Sequence, residues 1–234
     1  MKFSGEVALA EWITLTMGDG HAMPCYHAMP EGAQRGGLIL VQEIFGVTEH
    51  IRELCDEYAA DGYEVLSPGL FDRQQPGCAL GYSGADWERA VQIARQEHDW
   101  DQGIDDTARC VAWMKEKGGP VFMVGYCFGG SVSWRMAQLS DDLDAASCYY
   151  GGYIATRFAD DAPKCATITH FGRYDSMVPI EPVEKLIEKA HPTAQHFIYE
   201  AGHGFNSDRR KDYHPESAEL AKERTLMLFK ALGG

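Results

Sequence analysis

Short apolar runs alternate with amphipathic stretches along most of the chain, and this alternation limits its fold more than any other feature. Residues 38–41 form a continuous apolar run, typical of a strand buried on both faces. Between residues 49 and 61 apolar side chains recur at helical spacing, and Gly62 follows as a stop signal. The next apolar run, at 63–66, predicts a second strand.

The same order returns further along the chain. Strands are predicted at 121–124, 145–150, 166–171 and 195–200, and helices at 85–98, 103–117, 130–139, 181–190 and 215–231. Strands and helices that alternate at this spacing predict βαβ crossovers. We therefore expect an α/β fold with a mainly parallel central sheet and helices on both faces. Because no linker or repeat interrupts the pattern, a single domain over residues 1–234 is expected.

Charge and hydropathy limit the partners that the protein is expected to have. The formal net charge of −14 argues against nucleic acid, whose phosphates need a basic surface. No apolar run reaches the roughly eighteen residues of a membrane span, and the first residues lack the features of a signal peptide. We expect a cytoplasmic monomer or small homo-oligomer that acts on a small molecule, without nucleic-acid or membrane partners.

One of the seven cysteines has an unusual setting. Cys127 follows the predicted strand at 121–124 in the pattern Gly125-x-Cys127-x-Gly129, which is G-x-S-x-G with sulfur in place of oxygen. Such a turn is so tight that side chains at the glycine positions would clash. It presents the nucleophile above the sheet at a helix N-terminus, which favours a thiolate. The pattern predicts a nucleophilic Cys127.

A base and an orienting acid follow in the order that this type of fold uses. Asp175 comes shortly after the predicted strand at 166–171, and His203 comes after the strand at 195–200 between two glycines. Nucleophile, acid and base in this chain order are typical of α/β-hydrolases and differ from chymotrypsin and subtilisin. His170 is a weaker candidate for the base because it lies within a predicted strand. We therefore predict a triad of Cys127, His203 and Asp175.

The loop after the strand at 38–41 is the expected source of an oxyanion donor. In this position α/β-hydrolases place a backbone N–H that faces the tetrahedral intermediate. The amides of Ile44 and Phe128 are the two candidate donors. Glu43 stands in the same loop, either as part of the catalytic machinery or as a solvated loop residue.

Several segments spread over nearly the whole chain share motifs with one known family. The segments are Gln42-Glu43-Ile44-Phe45-Gly46, Arg73-Gln74-x-Pro76-Gly77-x-Ala79-Leu80, Gly125-Tyr126-Cys127-x-Gly129-Gly130, Tyr149-Tyr150-Gly151, Asp175-x-x-Val178-Pro179, Ala201-Gly202-His203 and Glu223-Arg224-Thr225-Leu226. Together they resemble the dienelactone hydrolases (carboxymethylenebutenolidases) among the α/β-hydrolases.

The resemblance implies an α/β-hydrolase fold and a Cys127–His203–Asp175 triad that opens the lactone ring of a dienelactone to maleylacetate. It implies no metal and no cofactor. It also implies that Glu43 contacts the resting thiol and removes its proton once substrate displaces the carboxylate.

The substrate-binding arginines of the family do not align directly. Ser207 stands where the family has its second arginine, and Glu88 stands at the position of the first. Arg89 and Arg209 are the nearest candidates for holding a substrate carboxylate. Phe45, Tyr126 and Tyr150 are the candidate pocket walls.

Other functions remain open at this point. A promiscuous carboxylesterase or arylesterase, or even a phosphotriesterase, would use the same triad on a different substrate. A cysteine peptidase or redox protein is disfavoured by the small scaffold and by the absence of a second cysteine near Cys127. A binding module is disfavoured because every triad position is filled. A metal hydrolase is disfavoured because neither H-E-x-x-H nor another zinc spacing occurs.

Overall fold

The computed structural model describes residues 9–234 and shows eight strands and six helices in this range. The strands are β1 (Leu9–Thr16), β2 (Ala22–Met29), β3 (Gly36–Val41), β4 (Tyr63–Pro68), β5 (Val121–Tyr126), β6 (Ala145–Tyr149), β7 (Ala166–Gly172) and β8 (Ala194–Tyr199). The helices are α1 (Glu49–Ala60), α2 (Gly84–Gln92), α3 (Trp100–Lys115), α4 (Phe128–Leu139), α5 (Ile180–Glu188) and α6 (Pro215–Ala231). A π-helical turn, Ile93–Glu97, directly follows α2.

All eight strands form one sheet in the order β1-β2-β4-β3-β5-β6-β7-β8. The pairs from β4 through β3 to β8 are parallel, and β1 and β2 join antiparallel at one edge. The prediction of a mainly parallel α/β sheet is confirmed. The sequence predicted neither β1 nor β2. Most side chains of β1 are exposed, so this strand gives no continuous apolar run.

Alternate residues of the central strands pack into two separate cores, one on each face of the sheet. In β3, Ile39 and Val41 join the core that contains residues of α3, α4 and α5. Leu38 and Leu40 join the other core, which contains residues of α1 and α6. Helices therefore cover both faces, as the continuous apolar strands predict.

Side-chain caps explain where two of the helices begin. Thr48 accepts from the Ile51 amide at the start of α1, and Asp99 accepts from the amides of Asp101 and Gln102 at the start of α3. The predicted helix at 85–98 is wrong over its last six residues, because α2 ends at Gln92 and gives way to the π-helical turn. Two residues of that turn, Ala94 and Arg95, line the same cavity as Cys127, which follows the carboxyl end of β5.

Candidate active site

Cys127 occupies a sharp turn between β5 and α4. Its backbone has φ 56° and ψ −111°, in a region that residues other than glycine rarely adopt, and it is the N-cap of α4. A Cβ added to Gly125 would lie 2.0 Å from the Gly129 carbonyl oxygen, and one added to Gly129 would lie 2.3 Å from the Val41 oxygen. The predicted need for glycine at both positions is thus confirmed. The turn leaves the thiol half-buried at the helix N-terminus.

His203 and Asp175 come together with Cys127 although they stand on different loops. His203 Nε2 lies 3.1 Å from Cys127 Sγ, and its Nδ1 lies 2.7 Å from Asp175 Oδ2. The second carboxylate oxygen of Asp175 accepts from the amides of Met177 and Val178 at 2.7 and 2.8 Å. These backbone bonds hold the carboxylate in place, so the imidazole is oriented towards the sulfur.

The environment of His203 favours its charged form. Burial by itself disfavours the imidazolium, but the neighbouring Cys127 sulfur and the Asp175 carboxylate outweigh it and raise the pKa of His203 to about 10. By contrast, His170 is fully buried, and burial lowers its pKa to about 3. His170 contacts Ser147 and Tyr199 inside the sheet and lies in no position to serve Cys127.

Glu43 forms a buried ion pair that the sequence did not predict. One of its carboxylate oxygens accepts from Arg210 Nη1 at 3.1 Å, and the two side chains are 1% and 10% exposed. The Arg210 guanidinium lies over the rings of Phe45 and Trp87. The contact between Glu43 and the resting thiol, which the family resemblance implies, does not occur as a hydrogen bond in the described part of the chain. The neighbouring guanidinium holds the carboxylate instead.

The two candidate oxyanion donors stand close to the thiol. Ile44 and Phe128 line the same cavity as Cys127 and His203. Within residues 9–234 neither backbone amide has a hydrogen-bond acceptor. The loop of Ile44 meets the turn of Cys127 through a hydrogen bond of 3.0 Å from the Gly129 amide to the Gln42 carbonyl.

The arginines proposed from the sequence for substrate binding are both engaged elsewhere. Arg89 donates to Glu97 and Gln75, and Arg209 donates to Glu53 and Asp208 at the surface. Neither of them lines the cavity at Cys127.

The three proposed pocket walls are almost completely buried. Tyr150 packs edge-on against the His203 ring at 5.2 Å, while Tyr126 packs against Tyr149. Phe45 packs against Tyr82. Since none of the three lines the cavity, they support the site from behind.

A cavity of about 210 Å³ opens above Cys127. Its wall is largely apolar and includes the rings of Trp100, Phe128 and Tyr153. Arg95, which the sequence reasoning missed, also lines it and has no ion-pair partner among the side chains of residues 9–234. Arg95 stands in the π-helical turn, and the sequence shows no signal for that turn because its residues continue a helical pattern.

Comparison with known proteins agrees with this architecture. The model of the dienelactone hydrolase family matches residues 23–233. The chain belongs to the dienelactone hydrolase family. In this chain Cys127, Asp175 and His203 lie on the loops after the parallel strands β5, β7 and β8.

Individual relatives match over nearly their whole length. The carboxymethylenebutenolidase of Pseudomonas putida is 30% identical, and the match covers 93% of this chain and 95% of the relative. An Escherichia coli K12 protein provisionally assigned as a carboxymethylenebutenolidase is 31% identical over 97% of this chain and 89% of the relative. These relatives show that the protein is a hydrolase that acts on esters or lactones.

Solved structures resemble the fold closely. A crystal structure from Klebsiella pneumoniae, provisionally assigned as a dienelactone hydrolase, is 30% identical with a TM-score of 0.83 and covers 95% of this chain and 98% of its own. A dienelactone hydrolase-like promiscuous phosphotriesterase, P91, from metagenomic libraries is 16% identical with a TM-score of 0.77, covering 98% of this chain and all of its own. The prediction of an α/β-hydrolase fold is confirmed.

No group of three or more His, Cys, Asp or Glu side chains between residues 9 and 234 is arranged to hold a metal ion. No helix in that part of the chain is both long and apolar enough to cross a membrane.

Proposed function

We propose that the protein hydrolyses a dienelactone or a related small ester through a thioester at Cys127. The geometry that carries this proposal is the continuous chain of contacts from Cys127 Sγ through His203 to Asp175, at 3.1 and 2.7 Å. A sulfur at a helix N-terminus, next to an imidazole whose pKa is raised, is a suitable nucleophile at neutral pH.

In the first half of the reaction the Cys127 sulfur attacks the carbonyl carbon, and the carbonyl π electrons move to oxygen. The Ile44 and Phe128 amides donate to this oxyanion. The intermediate then collapses, the bond to the alcohol oxygen breaks, and that oxygen takes a proton from His203. In a lactone the released alcohol or enol stays attached to the acyl chain.

In the second half a water molecule attacks the thioester carbon and gives a proton to His203. The C–S bond breaks and the sulfur leaves as thiolate beside the protonated His203. Asp175 keeps the imidazole oriented in both halves.

Glu43 also takes part in the proposed mechanism. Its second carboxylate oxygen is buried and has no hydrogen-bond partner among the described residues. That oxygen is free to accept the thiol proton when substrate enters and to return it to the Cys127 thiolate after the acid product has left. The return restores the resting thiol and limits oxidation of an exposed thiolate between turnovers.

Arg95 is the group that we expect to meet a substrate carboxylate. It lines the cavity next to the reacting sulfur, and no described acidic side chain pairs with it. The position replaces the earlier proposals of Arg89 and Arg209, whose guanidinium groups are held by other residues. A carboxylated lactone would therefore lie with its anionic end at Arg95 and its carbonyl at Cys127.

A neutral or aromatic ester is the second candidate substrate. The cavity wall between Trp100, Phe128 and Tyr153 is apolar and would suit an aryl group. The fold likeness to a promiscuous phosphotriesterase extends the candidates to phosphotriesters.

The test compares hydrolysis of cis- and trans-dienelactone with that of a neutral p-nitrophenyl ester. Cys127→Ala is expected to remove turnover of every substrate, at least about 10⁴-fold, because the nucleophile is lost. Mass spectrometry of a rapidly quenched reaction should find the acyl group on the peptide that contains Cys127. Cys165→Ala is the matched control, since this buried cysteine lies outside the cavity and should keep wild-type turnover.

Arg95→Gln separates the two substrate classes. It should raise KM for the dienelactones about tenfold and leave the neutral ester unchanged, because only the former carry a carboxylate. Arg109→Gln, on the outer side of α3, is the control and should change neither. Efficient turnover by Cys127→Ala would refute the thioester mechanism, and turnover of the neutral ester alone would favour the second candidate.

A further inference from the structure

Residues 72–82 form an irregular segment between β4 and α2 that carries the shared motif from Arg73 to Leu80. Neither the triad nor the cavity uses this motif. We call the segment the strap, because it lies across the loop that contains Ile44. The contacts of the strap with the loop of Ile44 indicate what the motif does.

The strap holds the loop of Ile44 through backbone contacts. The Leu80 amide donates to the Phe45 carbonyl at 2.8 Å, and Ala79 forms an antiparallel bridge with Gly46. Gly46 has φ +86°, and a Cβ there would lie 2.0 Å from the Cys78 carbonyl oxygen. Only glycine fits this close approach, so the strap and the loop are packed backbone against backbone.

One further hydrogen bond connects these contacts to the candidate oxyanion donor, the Ile44 amide. The Gly46 amide donates to the Glu43 carbonyl at 3.4 Å. The Glu43 carbonyl and the Ile44 amide belong to the same planar peptide group, so fixing one fixes the direction of the other. The position of Gly46 against the strap therefore sets where the Ile44 N–H points.

Side chains anchor the strap at its ends. Arg73 donates to both oxygens of the buried Asp106 on α3 at 2.9 and 3.1 Å, and also to Asp19 at 2.7 Å. Near the middle, Arg89 Nε donates to the Gln75 side chain at 3.0 Å. At the other end, the Tyr82 hydroxyl lies 3.2 Å from Thr48 Oγ1, and the Tyr82 ring packs edge-on against Phe45.

We propose that the strap positions the Ile44 amide for the oxyanion, with Arg73 and Tyr82 as positioning residues that touch no substrate. The proposal rests on the proposed function, because it needs an oxyanion hole at Ile44. In this proposal Arg89 also anchors the strap, and its guanidinium therefore turns away from the cavity.

The test compares a reaction that needs the oxyanion hole with one that depends only on the accessibility and reactivity of the Cys127 thiol. Hydrolysis of a p-nitrophenyl ester needs the oxyanion hole, whereas alkylation of Cys127 by iodoacetamide is a displacement at carbon that forms no oxyanion. Arg73→Gln should lower kcat for the ester at least about tenfold, a fraction of the loss seen when an oxyanion donor is removed. KM and the alkylation rate should stay within about twofold of wild type.

Tyr82→Phe is the milder second variant, because it keeps the ring and removes one hydrogen bond. It should lower kcat about three- to tenfold, the worth of one such bond, again without changing alkylation. If Arg73→Gln fails to fold, as judged by circular dichroism, this variant still decides the question. Arg109→Gln removes a surface arginine from the same helix as Asp106 and is expected to leave kcat unchanged.

Two results would overturn the proposal. One is wild-type kcat in Tyr82→Phe together with wild-type kcat in any folded Arg73→Gln. The other is a parallel fall of turnover and alkylation, which would mean a general collapse of the site. A different result would show that the proposed thioester mechanism itself is wrong: wild-type protein alkylated at Cys127 would then keep its turnover.

Discussion

Two buried pairs of charged residues lie near Cys127, and they are built in different ways. Asp175 and His203 stand on the loops after the adjacent strands β7 and β8, 28 positions apart in the chain. Glu43 and Arg210 are 167 positions apart, and Arg210 belongs to an irregular segment beyond His203. The sheet itself brings the first pair together, whereas the second depends on how a loop folds back over aromatic rings.

The difference predicts that breaking the first pair at Asp175 mainly lowers turnover, whereas breaking the second pair at Arg210 mainly lowers the stability of the fold. Asp175 is held by backbone amides and needs no partner charge to stay in place. Glu43 is 1% exposed and has Arg210 as its one ion-pair partner among the described residues. Breaking each pair separately tests this distinction.

Asp175→Asn should have the largest effect on activity. Asparagine keeps the oxygen that accepts from Met177 and Val178 but places an amide NH₂ where His203 Nδ1 needs an acceptor. We expect kcat for the neutral ester to fall about 10³- to 10⁴-fold, because the imidazole loses its orientation and its stabilised charge. Steady-state kinetics measure this, and circular dichroism should show an unchanged fold. A loss below tenfold would remove Asp175 from the mechanism.

Arg210→Gln should have the largest effect on stability. It leaves the Glu43 carboxylate buried without a partner, which we expect to lower the free energy of unfolding by about 3–5 kcal/mol. The double variant Glu43→Gln with Arg210→Gln should lose less, since no charge then stays buried. Urea unfolding measures both.

The neighbouring residue supplies the control for that cycle. Arg209→Gln breaks exposed ion pairs with Glu53 and Asp208 and should cost at most about 1 kcal/mol. If Arg209→Gln and Arg210→Gln lowered the free energy of unfolding equally, Arg210 would have no special role in stabilising the buried Glu43. Wild-type turnover in Glu43→Gln would remove the proposed role of Glu43 in activating the thiol.

A smaller effect than that of Arg210→Gln is expected from the pH dependence of stability due to His203. Its pKa is raised from 6.5 to about 10, so the charged imidazole stabilises the folded state fully below pH 6.5, and this contribution is lost as the pH rises through about 10. Asp175→Asn removes one of the groups that raise the pKa. We expect it to lower the free energy of unfolding at pH 6 by about 1–3 kcal/mol, the worth of a hydrogen bond to a charged group.

The same variant should differ less from wild type at pH 10.5, where His203 is largely neutral in both proteins. Urea unfolding at the two pH values measures the difference. An equal or larger difference at pH 10.5 would show that the charge on His203 does not contribute in the expected direction.

The catalytic candidates and the substrate-binding candidates differ in how far the sequence could predict them. Cys127, Asp175 and His203 each follow a strand of a parallel sheet, and the carboxyl ends of such strands meet at one edge. Arg89 and Arg209 lie on a helix and in a loop, where a shift of one residue turns a side chain to another face. The structure points both away from the cavity and places Arg95 on its wall and Arg210 beside Glu43.

Periodicity and turn motifs alone determined the α/β architecture, the steric need for glycine at 125 and 129, and the order of the three candidate residues, because these depend on local spacing. The tertiary structure decided which arginine meets the cavity and which pairs with Glu43. It also showed that residues 72–82 hold the loop of Ile44. Such contacts join segments far apart in the chain, and their geometry depends on packing between loops, which no local pattern encodes.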